Sequence, residues 1–253
     1  WVPTQFMRMY KLPEEVKSQY DVSSLKVITH AAAPCPVELK HKMIDWWGNI
    51  FYEYYSGSEG VGMTHADPDQ WLKFPGTVGK PLMGIIHICD DQGQEVPPGE
   101  IGKIYFESDH EFNYHNDNKK REKVKHSHHS SWSSFGDIGY VNEEGYLFLT
   151  DRESFMIISG GVNIYPQEVE NLLSMHEDVE DVAVIGIPDD DMGEQVKAFI
   201  KLSKSAEDRS NQEQYFIEYT RSHLANYKCP KSISFVNDLP RSDAGKLVKR
   251  YLK

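Results

Sequence analysis

The chain has 253 residues, a net charge of −12, 39% hydrophobic and 12% aromatic side chains, and a mean hydropathy of −0.57. That composition can build a packed core and excludes whole-chain disorder. No run of about 18 apolar residues is present to span a membrane, and the acidic balance argues against a nucleic-acid partner. Three widely spaced cysteines, Cys35, Cys89 and Cys229, make neither a disulfide framework nor a zinc ribbon. They fit a reducing setting, and a cytoplasmic location is expected. The chain opens at Trp1 on residues that read like the interior of a domain, so a piece of something longer is expected.

Residues 1–8 are apolar and carry no helix start signal. Residues 12–19, with an early Pro and acids in the first turn, predict a short helix. Residues 25–29 read as a buried strand, followed by the small-residue turn His30-Ala-Ala-Ala-Pro-Cys-Pro36. A helix is predicted over 37–47 with Val37, Met43, Ile44 and Trp47 on its apolar face, then a strand over 50–55. Strand, helix, strand over 1–75 fits the edge of a parallel α/β sheet. Over 76–152, runs at 85–89, 101–106, 138–141 and 146–149 alternate with turn sequences, which predicts an antiparallel, barrel-like piece. A polar loop or short helix over 113–134 interrupts it.

Beyond Asp151-Arg152 the texture changes. Strands are predicted at 155–158, 182–187, 196–202 and 233–236, with helices at 212–225 and 247–252. Gly160-Gly161 forms a turn, and Pro166-Gln-Glu-Val-Glu opens another helix. This describes a small α+β domain over 153–253, of a size that one core supports. No internal repeat is found.

Five short signals carry chemistry. Tyr55-Ser-Gly-Ser-Glu59 ends a strand, where α/β sheets place ligands. Its aromatic ring, hydroxyl and carboxylate suit a base, a phosphate and Mg²⁺; an ordinary turn with a solvated Glu would read the same. Asp137, in Phe135-Gly-Asp137, can accept at both oxygens from a pair of hydroxyls, or simply start a strand. Asp151-Arg152 sits at the composition break, where an interdomain ion pair is the plain alternative. Ser159-Gly-Gly161 lets a backbone approach a ligand, or makes a hairpin turn. Leu239-Pro-Arg241-Ser-Asp-Ala-Gly245-Lys246 resembles the end of a phosphate loop, but the Gly-x-x-x-x-Gly-Lys-[Ser/Thr] pattern is absent.

Taken together and in this order, the five signals resemble the adenylate-forming superfamily, which comprises acyl-CoA synthetases, luciferases and peptide-synthetase adenylation domains. The likeness covers essentially the whole chain. Residues 31–36 and 151–170 look most like fatty-acyl or aryl-acyl CoA ligases. The implied fold is the end of a large AMP-binding domain (1–152, an α/β sheet edge and a distorted antiparallel barrel), then a small mobile α+β domain (153–253). The implied activity is an ATP-dependent acid–thiol ligase that forms an acyl adenylate and then an acyl-CoA thioester, with ATP, Mg²⁺ and coenzyme A. A non-catalytic module descended from such an enzyme, or one that loads a carrier protein, are the alternatives.

The resemblance implies a role for each matching residue. Tyr55 stacks on adenine, Ser58 lies near the phosphates (relatives usually have Thr), and Glu59 binds Mg²⁺. Asp137 and Arg152 hold the ribose. Lys246 reaches the carboxylate and the α-phosphate, as suits a point charge facing developing negative charge. Gly160 and Gly161 flank the pantetheine arm after a domain rotation. Ser154 stands at the hinge, where relatives usually carry Asp or Lys. Ala31 and Ala32 line the acyl pocket, and His30, where relatives often have Gly, shortens that pocket or fills space. His126, His128 and His129 resemble a metal tract in composition only. Cys35 and Cys229 are given no nucleophilic role. Relatives carry a Ser/Thr/Gly-rich loop ending in Lys-Gly that wraps the β- and γ-phosphates, and these 253 residues contain none. The upstream half of the large domain is therefore expected as a partner, in the same polypeptide or a separate one, and this polypeptide alone is expected to be inactive.

Overall fold

A computed structural model describes residues 1–115, 121–122, 124–206, 211–242 and 246–252. The chain divides into two compact units, Trp1–Glu153 and Ser154–Lys253. Among the described residues no helix is long and apolar enough to cross a membrane.

The first unit is mixed α/β. It opens with helix α1 (Pro3–Tyr10), where no helix is expected from the sequence. Its start lacks a Ser, Thr, Asp or Asn cap; instead Gln5 Oε1 accepts from the Val2 N–H at 3.0 Å, with Pro3 at the first helical position. The short α2 (Glu14–Lys17) and strand β1 (Ile28–His30) follow. Helix α3 (Val37–Trp47) has the predicted bounds. Of the expected apolar face, Met43 is buried and Ile44 and Trp47 are half-buried, whereas Val37 is exposed; Leu39 and Lys40 are buried beside Met43.

Strand β2 (Phe51–Ser56) pairs parallel with β1, with Ile28 opposite Phe51. Phe6 of α1, Trp47 of α3 and Phe51 of β2 pack ring against ring over this pair. The chain then makes β3 (Met63–Ala66), α4 (Pro68–Lys73) and β4 (Thr77–Met83), none of which is among the expected elements. Strand β4 pairs with β3 through Lys80, Pro81 and Met83, and with β9 (Leu147–Arg152) through Thr77 and Gly79. At this crossing Gly79 has φ +94°, and a Cβ there would lie 1.8 Å from the His65 carbonyl oxygen, so only glycine fits.

Strands β5 (Ile85–Cys89), β6 (Gly102–Glu107), β7 (Trp132–Ser133) and β8 (Asp137–Val141) complete one sheet. Its order is β1-β2-β3-β4-β9-β8-β6-β5, with β7 beside β6. The expected barrel does not close. Among the described residues β1 and β5 are opposite ends of one continuous path, because β4 carries the antiparallel strands onto the edge that began with β1 and β2. Val61, Val78, Ile88, Ile104, Phe106 and Leu147 form the core beneath it.

The second unit is α+β, with β10 (Ile157–Ser159), β11 (Val162–Ile164), α5 (Pro166–Ser174), β12 (Val179–Asp189), β13 (Gly193–Leu202), α6 (Gln212–His223) and β14 (Ser232–Phe235). The sheet order is β11-β10-β13-β12, with β14 parallel to β13. Val196, Ala198 and Ile200 alternate inward along β13 and meet Val169 and Leu173 of α5 and Phe216 and Ile217 of α6. The expected terminal helix is a single 3₁₀ turn, Lys249–Tyr251.

Candidate active site

In the first unit three of the sequence-predicted residues meet. The antiparallel register of β8 and β9 sets Asp137 opposite Arg152, and Arg152 Nε lies 3.2 Å from Asp137 Oδ1. Tyr55, at the end of β2 and 82 residues earlier, donates its hydroxyl to Asp137 Oδ2 at 2.6 Å. Phe135 stands edge-on to the Tyr55 ring with centroids 5.6 Å apart, and Phe106 packs beside both. Each Asp137 oxygen accepts from one of these groups and keeps a further lone pair. Burial raises the Asp137 carboxyl above its ordinary range, while the Tyr55 hydroxyl and the Arg152 charge pull it back. Burial and the adjacent Asp137 push the Tyr55 phenol well up, so it remains a donor. The cluster is a partly desolvated carboxylate held ready to accept hydroxyls, with a cation and an aromatic ring beside it.

The loop after β2 holds the second group. Glu59 Oε1 accepts from Tyr114 Oη at 2.7 Å. The exposed Ser58 hydroxyl lies 3.4 Å from Glu59 Oε2. Gly57 passes so close to the Phe135 ring that a Cβ would sit 2.5 Å from it, which fixes the path of the loop against the Asp137 strand. Tyr114 went unnoticed in the sequence, because a polar stretch without periodicity gives no sign that its hydroxyl reaches back 55 residues.

A third group lies beneath α3. Lys40 Nζ is 2.8 Å from Glu53 Oε2, and both side chains are buried. His30 Nε2 lies 3.5 Å from the same oxygen, and among the described residues neither ring nitrogen has a hydrogen-bond partner. Burial drives Lys40 down and Glu53 up, each toward its neutral form, and their pairing opposes both shifts. The neighbouring Ala31 is buried, whereas Ala32 is exposed at φ +74°, a strained backbone for a non-glycine residue. Burial pushes the Cys35 thiol well up, which keeps it protonated.

His30 gives a pH test. Burial, then the Lys40 charge, depresses it to about 3. The folded pKa lies below the unfolded value of about 6.5, so the stability His30 contributes is complete above that pH and is lost as pH falls through the window toward 3. Between pH 7 and pH 5 the wild-type protein is expected to lose about 2 kcal/mol more than His30→Gln, read from urea midpoints. Equal losses would contradict the assignment.

His126 is committed elsewhere. Its Nε2 donates to the Gly93 carbonyl at 2.9 Å, and its Nδ1 accepts from the His128 and His129 N–H groups. His129 stacks on Trp132. Among the described residues no group of three or more His, Cys, Asp or Glu could hold a metal ion.

In the second unit Gly160 and Gly161 form the two-residue turn between β10 and β11, at φ +57° and +80°. Two positive φ values are what this turn demands. A Cβ on Gly160 would strike Met192, whereas the space around Gly161 is open. Ser154 opens the unit, within the 3₁₀ turn Glu153–Phe155. Lys246 is exposed, and among the described residues its ammonium makes no hydrogen bond or ion pair. Asp243, Ala244 and Gly245, which precede it in the motif, lie outside the described residues.

Comparison with known proteins gives a consistent result. Residues 1–113 match the family model described as AMP-binding enzyme, and residues 168–246 match the AMP-binding enzyme C-terminal domain. A long-chain-fatty-acid–CoA ligase of Bacillus subtilis (strain 168) is 35% identical over 253 residues, covering 99% of this chain and 44% of the ligase. The amide bond synthetase of Marinactinospora thermotolerans superposes with a TM-score of 0.83 at 27% identity, over 100% of this chain and 51% of that one. The o-succinylbenzoate CoA synthetase of Bacillus subtilis, solved with its acyl-adenylate intermediate, gives 0.80 at 29%, over 100% and 50%. The chain spans about half the length of the relatives it matches.

Proposed function

This chain belongs to the AMP-binding enzyme family, and from that premise we propose that it is the C-terminal part of an ATP-dependent acid–thiol ligase. The substrate acid is fatty or aryl, and the acceptor thiol is coenzyme A. In the first half-reaction a carboxylate oxygen attacks the α-phosphorus of ATP, the bond to the pyrophosphate oxygen breaks, and pyrophosphate leaves. In the second, the acceptor sulfur attacks the acyl carbon, AMP departs with the bridging oxygen, and the thiol proton passes to solvent.

The observation that carries this reading is the convergence of Tyr55, Asp137 and Arg152. A carboxylate with a free lone pair on each oxygen suits the two ribose hydroxyls, Arg152 adds a cation at the same place, and the Tyr55 ring offers a face for adenine. Glu59 suits Mg²⁺, since among the described residues its Oε2 is engaged only by the distant Ser58 hydroxyl and Mg²⁺ takes one or two carboxylates along with substrate phosphates. Bound there, the ion would neutralise phosphate charge. Ser58 would contact those phosphates. Ala31 and Ala32 would border the acyl group. Lys246 would stabilise the charge that develops at the α-phosphate. Gly160 and Gly161 would border the pantetheine arm once the unit beginning at Ser154 has rotated.

Titrating AMP into the full-length protein and into its Asp137→Ala variant tests the nucleotide assignment. The variant should bind at least about tenfold more weakly, since a charge-assisted pair of hydrogen bonds is lost; equal affinity would contradict it. The structural likeness to an amide bond synthetase favours one further reading, in which the acceptor is an amine. Product analysis with coenzyme A and with amines separates the two.

A further inference from the structure

We propose that Lys249 is a positioning residue for Lys246. It anchors the foot of the loop that carries Lys246 and sets the register in which that loop is presented. This rests on the adenylation role given above to Lys246.

The two legs of the loop are paired. Val248 N–H donates to the Pro240 carbonyl at 2.8 Å, and Ser242 N–H donates to the Lys246 carbonyl at 2.9 Å. Lys246 N–H donates to Ser242 Oγ at 3.2 Å, and Arg241 bridges Leu247 in antiparallel fashion. Such short pairing fixes the loop internally but does not fix it to the unit.

Two ion pairs do. On the first leg the Arg241 guanidinium meets Asp181 Oδ2 of β12 through Nη2 at 2.6 Å and Nε at 3.2 Å. On the second, three residues past Lys246, the Lys249 side chain turns inward and is only 6% exposed. Its Nζ lies 2.7 Å from Glu170 Oε1 on α5 and 4.8 Å from the centre of the Phe155 ring. The same Glu170 oxygen accepts from Val184 N–H of β12 at 2.7 Å. Both anchors therefore refer the loop to β12, and Lys249 also ties it to the segment that opens the unit.

A buried ammonium is a poor choice for cohesion alone. An apolar side chain of the same length would close the tail without desolvating a charge. What the ion pair adds is direction. Glu170 is itself fixed by a backbone donor, so the pair tolerates one register of the tail, and a slip of one residue would strand a buried charge. The result is a fixed base beneath an exposed Lys246.

The test uses the full-length protein and measures the half-reactions separately. Acid-dependent exchange of pyrophosphate into ATP reports adenylation, and thioester formation from a supplied acyl adenylate reports transfer. For Lys249→Met we expect exchange to fall at least tenfold in kcat with the KM for ATP within twofold, transfer within twofold of wild type, and Lys249→Arg to recover most of the loss. Equal loss in both half-reactions, no loss in either, or an Arg variant no better than Met would overturn the proposal. Glu170→Gln keeps the side-chain volume and is read the same way, so a folding failure of Lys249→Met does not remove the test. Lys246→Ala is measured alongside. If Lys246→Ala abolishes exchange and Lys249→Met does not, the positioning role alone fails. If Lys246→Ala leaves exchange intact, the adenylation role fails and the positioning role with it.

Discussion

In the full-length protein Lys246→Ala is expected to lower acyl-adenylate formation by about 10²–10³-fold, the usual loss when a donor to a charge-developing transition state is removed. Thioester formation from a supplied acyl adenylate should stay within about twofold of wild type, because in that step the attack develops its charge on the acyl oxygen. The structure supports the asymmetry. Lys246 is exposed, and its ammonium has no polar partner among the described residues. Its N–H and carbonyl, which do support the loop, are untouched by the substitution. Pyrophosphate release and thioester yield, measured on the same preparation, decide the matter. Parallel losses would mean that Lys246 serves the fold.

Glu53→Leu is expected to destabilise the protein by about 3–5 kcal/mol, because it leaves the Lys40 ammonium buried without its counter-charge. Lys40 is 1% exposed, and of the groups that remain near it His30 is held neutral and the Cys35 thiol is held protonated by burial. The Trp71 face, 4.4 Å from the ammonium, offers only partial compensation. Adding Lys40→Met to Glu53→Leu should recover most of the loss, since an apolar pair of similar volume often replaces a buried ion pair at little cost. Denaturant midpoints of the four proteins form a double-mutant cycle. Additive losses would contradict the assignment of the pair as one coupled unit.

The parts of the fold that were legible in the sequence carry their own punctuation. Helix α3 runs between Pro36 and Gly48, the glycine at φ +86°. Helix α5 opens on Pro166 with an acid in its first turn, and Gly160-Gly161 can only be a turn at these φ values. Of what escaped, helix α4 does carry such signals, with Asp67 as its cap, Pro68 after it and Gln70 closing the capping box; the rest lacks most of them. Helix α1 starts with a Gln side chain in place of the usual cap. Strand β4 contains Gly79 and Pro81, which demote a strand on local grounds; the Thr64 hydroxyl on the Val78 carbonyl at 2.6 Å and pairing on both sides hold it in the sheet. The last residues have a helical pattern but form one 3₁₀ turn, Lys249–Tyr251, from which Lys249 reaches Glu170.

The candidate site shows the same division. Tyr55, Asp137 and Arg152 were each visible as chemistry in a motif, but their meeting depends on a β8–β9 register and a return of the chain that no local pattern encodes. Tyr114 and the Lys40–Glu53 pair were invisible, because a Tyr in a polar loop and a Lys on a helix read as surface until the fold turns them inward. The buried side of α3 extends beyond its apolar pattern for that reason: Lys40, polar by type, lies in it beside Met43.

Exchange of labelled pyrophosphate into ATP by the full-length protein, with and without a fatty or aryl acid and with and without Asp137→Ala, tests the assignment most directly. The expected result is exchange that requires the acid and that, in the variant, demands a markedly higher ATP concentration. Exchange that no acid supports, or an Asp137→Ala variant with an unchanged dependence on ATP, would contradict it.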